Sequence, residues 1–597
     1  MTGDHLPTNA DIARQFTLLA DLLEIDGESS RHRLLAYRRG GARVGQVDES
    51  VAGRGVEGRA TELPAIRATL QGKIVELTRT GRIAALTRVM ERVPVGLADI
   101  AGLPGVGPKR ARAVWQALGV GDLDGLAAAV ADGTLVTVEG IGPKTAGQLA
   151  DELAARESGE GTGERIPLGR ADPVAQRFAH DLGELAVVGR AVVAGGIRRG
   201  SETVHDVDLV IETEDPDAVT EAMHDHPMTT ELLSSGSRGA AVMTQSGIRV
   251  EARFTPAASF GNLLQHLTGS RAHNVRLREL AVRGGLSVSE HGITRAGGDV
   301  IRCREEEGVY AELGLTWIPP ELREDTGEIA VAESGAFPRM VAEADLRGEL
   351  HCHTDWSDGR NTLREMVLAA RALGLDYIGI SDHSVSLAMA RGLDADRVHR
   401  QWEAIDRINE EFDDIVVVKA CEVDVLADGR LDHPDDLLAG FDWVTASLHS
   451  GFRQSRDRLT RRVLAAIEHP LVNVVGHPTG RMFGRREGYD LDLDRVVARA
   501  AETGTALEIN AQPKRLDLNA ANARRALAAG ADLTIGTDAH SVDELAVRRY
   551  GILTARRAGA TPDRVLNTKN REEIRIIRER KSSGSALRGR QGPGAAS

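Results

Sequence analysis

The chain has 597 residues with a formal net charge of −14 at pH 7, and only 3% of its residues are aromatic. This length exceeds what one hydrophobic core supports and predicts three or four domains, and the composition favours helix-rich α/β architecture over a β-sandwich. Three cysteines cannot form a disulfide framework, and no apolar run reaches the length of a membrane span, so we expect a cytoplasmic protein without a membrane partner. The net charge does not exclude nucleic acid, because the acidic excess lies downstream of residue 95.

Residues 1–95 predict a helical domain, because apolar residues recur at steps of three and four, as at Ile12, Phe16 and Leu19. Residues 96–155 contain two copies of one motif, which we call the glycine motif. In it an apolar residue, Gly-x-Gly and a basic residue stand at the start of a helix. Glycines let backbone N–H groups approach a phosphate, and the helix N-terminus favours its charge. A lone copy also closes ordinary turns, but two copies favour binding to the DNA backbone, and they resemble the helix-hairpin-helix elements of DNA-binding domains. The residues are Gly105, Gly107 and Lys109 in the first copy and Gly140, Gly142 and Lys144 in the second.

A polar, glycine-rich stretch at 156–170 predicts a linker, and residues 171–318 then alternate short β-rich runs with helical stretches. This region carries small residues and arginines suited to a triphosphate, followed by two carboxylates on one strand face, suited to a divalent metal ion. A third carboxylate lies on a later strand. The alternative is a solvated acidic strand, which the adjoining arginines disfavour. The residues are Gly195, Gly196 and Arg199 for the triphosphate and Asp206, Asp208 and Glu251 for the metal ion.

After a second predicted linker at 319–345, residues 346–575 alternate short apolar strands with helices. This pattern predicts a parallel sheet or a barrel whose active site gathers at the strand ends. One histidine alone is more often a core or surface residue than a ligand, but nine histidines and carboxylates at strand ends predict metal, because unpaired buried charge is too costly. Mixed nitrogen and oxygen ligands suit Zn, Mn or Fe, whereas Mg prefers oxygens. The residues are His351, His353, Asp358, His383, Glu422, His449, His477, Asp538 and His540.

The order of these motifs, from His-x-His through Ser-Asp-His and Gly-His-Pro to Asp-Ala-His, resembles the PHP (polymerase and histidinol phosphatase) domain. The resemblance covers residues 346–575 and implies a distorted (β/α)7 barrel with up to three metal ions that hydrolyses phosphate esters. Residues 576–597 lack apolar content and predict a disordered tail. The implied ligand sets are His351, His353, Glu422 and Asp538 for the first ion, Glu422, His449 and His477 for the second, and Asp358, His383 and His540 for the third.

The central motif resembles the nucleotidyltransferase-type palm of the family-X DNA polymerases, and together with its flanking domains the chain resembles the bacterial members of that family. The resemblance implies a small thumb and catalysis by the three palm carboxylates with Mg²⁺ or Mn²⁺. A nucleotide-binding turn is implied at Gly269, with Asn274 against the incoming base, and Lys73 stands where polymerase beta has its lyase nucleophile. The implied partners are gapped or nicked duplex DNA, its 3′ ends and deoxynucleoside triphosphates, and the implied state is a monomer.

The nucleotide site departs from the family pattern in four ways. Gly196 removes a phosphate-binding hydroxyl, His205 replaces a glycine, and Glu251 replaces the third catalytic aspartate. In addition, His266-Leu267 replaces a Tyr-Phe pair under the sugar. Glutamate still binds Mg²⁺, but displacing a catalytic group by about 1 Å can cost on the order of 100-fold in rate. The nine metal-ligand positions of the barrel show no comparable departure.

Three functions remain open from the sequence. The first is a DNA repair enzyme that fills short gaps and removes 3′ nucleotides in the PHP barrel, with Mn²⁺ preferred. The second is a PHP nuclease whose polymerase half serves as a DNA-binding scaffold. The third is a small-molecule phosphatase of the histidinol-phosphate type, which leaves the DNA-binding half unexplained.

Overall fold

The computed structural model describes residues 6–28, 30–103, 105–157, 165–335, 337–483 and 486–583, and it leaves undescribed the side chains of Lys144, Asp151 and residues 154–157. The chain divides into two compact units. The first contains Met1–Ile166, Arg170–Val193 and Val204–Ala257, and the second contains Pro167–Gly169, Ala194–Thr203 and Ala258–Ser597. None of the described helices is long and apolar enough to cross a membrane.

Helices form the N-terminal part of the first unit. The helices are α1 (Asn9–Asp26), α2 (Arg31–Val44), α3 (Val51–Val56), α4 (Ala68–Thr80), α5 (Ala84–Met90), α6 (Leu97–Ala101), α7 (Gly107–Leu118), α8 (Leu123–Ala131) and α9 (Pro143–Glu157). Helix α1 begins where the Thr8 side chain accepts the backbone N–H of Asp11, and it ends at Gly27, whose φ of 103° favours glycine. Its residues Ile12 and Phe16 are fully buried in the core that these helices share. The helical prediction for this region is therefore confirmed.

A five-stranded sheet lies in the rest of the first unit, whereas the intervening segments Pro167–Gly169 and Ala194–Thr203 belong to the second unit. Between residues 166 and 255 the elements are β1 (Ile166–Pro167), α10 (Leu168–Gly183), β2 (Val188–Val193), α11 (Gly195–Arg198), β3 (Thr203–Val204), β4 (Val207–Thr213), α12 (Pro216–Asp225), β5 (Thr229–Gly236), β6 (Gly239–Thr244) and β7 (Arg249–Thr255). The sheet has the strand order β2-β4-β7-β6-β5, in which β4 and β7 are parallel and the other neighbours antiparallel. Its register places Asp208 of β4 opposite Glu251 of β7.

The second unit includes a small helical subdomain with a three-stranded sheet ordered β10-β9-β8. Its elements are α13 (Phe260–Thr268), α14 (Arg271–Arg283), β8 (Leu286–Ser289), β9 (Gly292–Arg295), β10 (Val300–Ile301), α15 (Glu306–Glu312) and α16 (Glu328–Ser334). Leu277, Tyr310 and Ile318 form a buried cluster with Ile329 of α16. Part of the segment that the sequence predicts as a linker, 319–345, therefore packs on the helices before it.

The C-terminal region alternates strands and helices. Its elements are β11 (Gly348–Cys352), α17 (Leu363–Ala372), β12 (Tyr377–Ile380), α18 (Ala395–Glu411), β13 (Val416–Asp424), α19 (Asp435–Leu438), β14 (Trp443–Ser447), α20 (Arg456–Glu468), β15 (Val474–Val475), α21 (Leu493–Thr503), β16 (Ala506–Asn510), α22 (Ala520–Ala529), β17 (Leu533–Gly536), α23 (Arg548–Arg557) and α24 (Arg571–Ser582). Helix α24 occupies the start of the predicted tail, and residues 584–597 lie outside the described residues.

Seven parallel strands form one sheet in the order β11 to β17, and the sheet curls into a nearly closed barrel. The backbone N–H of Asp538 donates to the carbonyl of His351 at 2.8 Å, and that of His353 donates to Ala539 at 2.8 Å, which joins the last strand to the first. Every residue of β11, β12, β14, β16 and β17 is buried, as expected where helices cover the outside of a parallel sheet. The predicted seven-stranded barrel is confirmed, and its strand ends meet at one rim.

Candidate functional site

The rim at the carboxyl ends of the barrel strands brings all nine predicted metal ligands together. Because parallel strands end at the same edge, side chains from six different strands meet at this rim. They lie in β11 (His351), in the loops after β11 (His353, Asp358) and β12 (His383), in β13 (Glu422), and in the loops after β14 (His449), β15 (His477) and β17 (Asp538, His540).

Eight of the nine residues contribute ligand atoms to three groups, and within each group these atoms lie within 4.8 Å of one another. The ninth, His477, contacts Glu422. The groups are His351, His353 and Asp538; His383, Glu422 and His449; and His353, Asp358, His383 and His540. His353 and His383 each belong to two groups. In the sets implied by the resemblance, each of these histidines belongs to one set only. Oε1 of Glu422 lies 3.4 Å from Nε2 of His351 and 3.0 Å from Nε2 of His477, so this carboxylate adjoins the first group as well.

Several of these nitrogens are buried without a hydrogen-bond partner in the described part of the chain. They are Nε2 of His351, both ring nitrogens of His353 and Nδ1 of His477. A buried polar group without a partner costs free energy, and these nitrogens meet carboxylate oxygens at one rim. Nitrogen and oxygen donors in such groups fit divalent metal ions. The residues present therefore suit the ions that the sequence predicts.

The charges in the rim are strongly coupled. Burial favours the neutral form of Glu422, but the facing His449, His351 and His383 hold its pKa well below the usual range. Burial, together with the neighbouring His383 and His540, lowers the pKa of His353 to about 3. An imidazole that stays neutral at pH 7 is the form that binds a metal ion.

Three further carboxylates, which are not among the nine predicted ligands, support the ligands. Asp382 accepts the backbone N–H of Thr354 at 2.8 Å and the side chain of Gln401 at 2.6 Å, which fixes the loop after β11. Oδ1 of Asp424 lies 2.8 Å from Nδ1 of His449. Glu508 contacts His351 in the same way. The sequence offered a signal for Asp424 and Glu508, because each is a carboxylate in a largely apolar strand.

One arginine also adjoins the ligands. Nε of Arg515 lies 3.6 Å from Oδ2 of Asp538, and this nitrogen is buried without a hydrogen-bond partner among the described residues. Asp538 offsets part of the charge of Arg515, and a guanidinium with an unpartnered N–H at such a site is a donor suited to an anion such as a phosphate group. The rim can therefore hold divalent ions and a phosphate together.

The three palm carboxylates lie in the first unit. Asp208 and Glu251 are register neighbours on parallel strands, and Asp206 directly precedes β4. Oε2 of Glu251 accepts a hydrogen bond from Arg249 at 2.7 Å. His205 is exposed, and its Nε2 lies 3.2 Å from Arg165. An open cavity of about 440 Å³ borders Glu251. It is also lined by Arg238 and Arg253, which would favour an anionic partner.

The predicted nucleotide-binding residues lie in the second unit. Gly195 has a φ of 60° and opens α11, which Arg199 follows. Arg199 donates to Glu324 at 3.0 Å and to the carbonyl of Thr268 at 2.9 Å. Nδ2 of Asn274 donates to the carbonyls of His266 at 2.7 Å and Gly269 at 3.1 Å. The turn before α14 and the turn at α11 are thus joined through Arg199. Gly196 lies in the first turn of α11.

The two copies of the glycine motif lie at the starts of α7 and α9. Gly105, Gly107 and Gly140 have φ values of 77°, 67° and 84°, which side-chain-bearing residues rarely adopt. Gly142 and Lys109 are exposed, so both copies present backbone to solvent at a helix start. The side chain of Lys144 lies outside the described residues. In α4, Nζ of the predicted lyase residue Lys73 lies 5.9 Å from the ring centroid of Tyr37.

Comparison with known proteins decides the family. The chain is 33% identical to the DNA polymerase/3′-5′ exonuclease PolX of Bacillus subtilis over 573 residues, which is 96% of this chain and 99% of that protein. The chain belongs to the PolX family. Three models of PolX-type domains match it in order: a SAM-like helix-hairpin-helix tandem at residues 97–155, a DNA polymerase beta thumb at 263–324 and a PHP domain at 349–512.

Shorter relatives match the barrel region. A probable phosphatase of Thermoanaerobacter sp. is 28% identical over 244 residues, covering 39% of this chain and 95% of that protein. A probable phosphatase of Caldicellulosiruptor bescii is 34% identical over 172 residues, covering 28% of this chain and 65% of that protein. The resemblance stated from the sequence is confirmed, since the long match to PolX includes the domains before the barrel.

Proposed function

We propose that this chain is a DNA repair enzyme that joins template-directed gap filling to removal of 3′ nucleotides in its PHP barrel. One observation carries the proposal: the described structure gathers nine candidate ligands at the barrel rim, several of them with buried nitrogens that lack a hydrogen-bond partner, in a chain similar to PolX over 96% of its length. The reading as a histidinol-phosphate-type phosphatase is not favoured, because it leaves the helix-hairpin-helix and thumb regions without a role.

The proposed hydrolytic site uses the three ligand groups of the rim. Up to three divalent ions bound there (Mn²⁺, Zn²⁺ or Fe) would polarise the scissile phosphoryl group and supply a water-derived nucleophile near neutral pH. Arg515 would hold a phosphate oxygen, since its guanidinium points at the rim from the loop after β16. Asp424 and Glu508 would hold His449 and His351 in the orientation that the ions require.

The proposed synthetic site uses the palm and thumb. Asp206, Asp208 and Glu251 would hold Mg²⁺ or Mn²⁺, and Glu251 would also accept the proton of the primer 3′ hydroxyl. Arg199, with Gly195 and Gly196, would bind the triphosphate of the incoming nucleotide, and Gly269 and Asn274 would face its sugar and base. A lyase role for Lys73 stays a prediction.

The proposed DNA contacts come from the two glycine motifs at the starts of α7 and α9. Exposed backbone N–H groups and Lys109 would bind phosphates of a gapped or nicked duplex without reading bases. We further propose a cytoplasmic monomer. The free thiols of the three buried cysteines are compatible with a reducing compartment.

A denaturing gel of a 5′-labelled primer on a gapped template, with Mn²⁺ and all four deoxynucleotides, tests both activities. We expect shortened products from the parent, and extended products once His351→Ala silences the barrel. Full digestion by the His351→Ala protein would contradict the hydrolytic site. Digestion by the parent with no extension by His351→Ala would support the scaffold reading instead of gap filling.

A further inference from the structure

The phosphate turn, defined as Ala194–Thr203, groups with the thumb and the barrel in the second compact unit. Contacts between the phosphate turn and residues of the barrel region explain part of this grouping. Arg481 pairs with Glu202 of the turn at 2.7 and 2.9 Å. Gly200 has a φ of 67°, and a Cβ built there would lie 3.0 Å from Cβ of Leu553 in α23. The phosphate turn therefore lies directly against the barrel.

Helix α23 also holds the turn by hydrogen bonds. Nη1 of Arg557, the last residue of α23, donates to the carbonyl of Arg199 at 2.8 Å. The same nitrogen donates to Oε1 of Glu324 at 2.9 Å. Arg557 is mostly buried, with 18% of its side chain exposed, so solvent screens these contacts little. The barrel thus supplies a charged group beside the arginine that we assign to the triphosphate.

Glu324 is shared by two arginines. Nε of Arg199 donates to Oε1 of Glu324 at 3.0 Å, and Arg557 donates to that same oxygen. Burial raises the pKa of Glu324, but Arg199 and Arg557 outweigh this effect and keep the pKa below its usual range. Glu324 is therefore an anion at neutral pH, and its charge is shared by Arg199 of the phosphate turn and Arg557 of the barrel.

We propose that Arg557 is a positioning residue of the nucleotide site, because by sharing Glu324 it leaves Arg199 available to the triphosphate. This inference rests on the proposed role of Arg199. Without Arg557, the charge of Glu324 falls on Arg199 alone and competes with the triphosphate for the guanidinium. The carbonyl of Arg199 also loses its donor. The PHP barrel in this way sets the nucleotide affinity of the polymerase half.

Equilibrium binding of a non-hydrolysable deoxynucleoside triphosphate to the full chain on gapped DNA tests the proposal. We expect Arg557→Met to raise the Kd roughly tenfold, the scale of one charged hydrogen bond. The KM for extension in the His351→Ala background should rise in parallel, with little change in kcat. The matched control is Arg556→Met on the same helix, whose guanidinium donates to Glu321 at 2.7 Å and to the carbonyl of Val341 at 3.0 Å.

A second substitution separates this role from a structural one. If Glu324 competes for Arg199, the double variant Glu324→Gln with Arg557→Met should regain most of the parent's nucleotide affinity. Glu324→Gln alone should bind nucleotide at least as tightly as the parent. The proposal is overturned if Arg557→Met binds nucleotide like the parent, if the double variant stays as weak as Arg557→Met, or if Glu324→Gln alone weakens binding. Absence of nucleotide binding by the parent would instead overturn the proposed role of Arg199, and this inference with it.

Discussion

Nδ1 of His351 lies 2.5 Å from Oε1 of Glu508, and both side chains are buried in the barrel. Oε2 of the same carboxylate accepts the backbone N–H of His477 at 2.6 Å. Glu508, on β16, therefore fixes two candidate ligands at once, one in β11 and one in the loop after β15. A carboxylate on Nδ1 also fixes the tautomer of His351, which leaves Nε2 free to face the other ligands.

Replacing Glu508 with glutamine should weaken metal binding at the rim. Loss of the carboxylate removes the charged acceptor of His351, and such partners typically affect metal affinity by about 10- to 100-fold. We would measure Mn²⁺ binding to the metal-free protein by isothermal titration calorimetry. Glu502→Gln is the control, since Glu502 pairs with Arg499 on the surface of α21. Equal Mn²⁺ affinity in Glu508→Gln and parent would contradict the orienting role.

His353 should matter more than His540 for the number of ions bound. His353 belongs to two ligand groups, whereas His540 belongs to one. Elemental analysis after dialysis should show that His353→Ala loses more metal per chain than His540→Ala. The exonuclease rate of His353→Ala should fall by more than about 100-fold, beyond the loss typical of an outer partner. Equal metal content in the two variants would show that His353 is not shared.

The barrel and its ligands could be predicted from the sequence because the pattern is local. Each ligand lies near the end of a short apolar strand or in the loop that follows it, and parallel strands end at one rim, so His351 and His477 must converge although 126 positions separate them. The sharing of His353 between groups could not be predicted, because it depends on ring orientation. The hydrogen-bond partners of Arg199 could not be predicted from the sequence either. Glu324 and Arg557 lie far from it along the chain, and their pairing depends on tertiary packing.

The ion-pair network around Glu306 should make the second unit sensitive to acid. Burial raises the pKa of Glu306, but Arg198 and Arg323 outweigh it and lower the pKa to about 2. The unfolded chain, with a pKa of 4.5, binds more protons between these values. The stabilisation, about 3 kcal/mol, is therefore complete above pH 4.5 and is lost as the pH falls through 2.

Glu306→Gln should remove this dependence and leave Arg323 buried with less compensating charge. Denaturant unfolding at several pH values should show a gap between parent and variant that is largest near neutral pH and shrinks below pH 4.5. Glu307→Gln, at the next position of α15, is the control. A gap that stays constant from pH 7 to pH 3 would show that Glu306 has no depressed pKa.

The affinity for DNA that the glycine motifs provide should depend on the salt concentration. Lys109 is exposed near the start of α7, where a phosphate would meet backbone N–H groups. Replacing Lys109 with glutamine should weaken binding about equally for unrelated sequences and reduce the slope of log K against log salt by about one. Fluorescence anisotropy with two gapped duplexes of different sequence measures both quantities. A variant that discriminates between the sequences would argue for base contacts instead.

The longer carboxylate at position 251 should limit DNA synthesis. Glu251 lies opposite Asp208 in the sheet, and Arg249 holds its Oε2 at 2.7 Å. Replacing Glu251 with aspartate withdraws the carboxylate by one methylene and restores the residue type of the family pattern. If the extra length misplaces the group by about 1 Å, Glu251→Asp should raise the rate of single-nucleotide insertion by up to roughly 100-fold.

The insertion assay uses the His351→Ala background, so that digestion does not hide the product. Glu251→Gln should abolish insertion, because an amide neither carries the charge that holds Mg²⁺ nor accepts the primer proton. Glu231→Asp, on β5 of the same sheet, controls for shortening a glutamate and should insert at the parent's rate. A Glu251→Asp protein slower than the parent would mean that the surrounding residues, including Arg249, have adapted to glutamate. The Gly196 and His205 departures would then be parts of one altered but functional site.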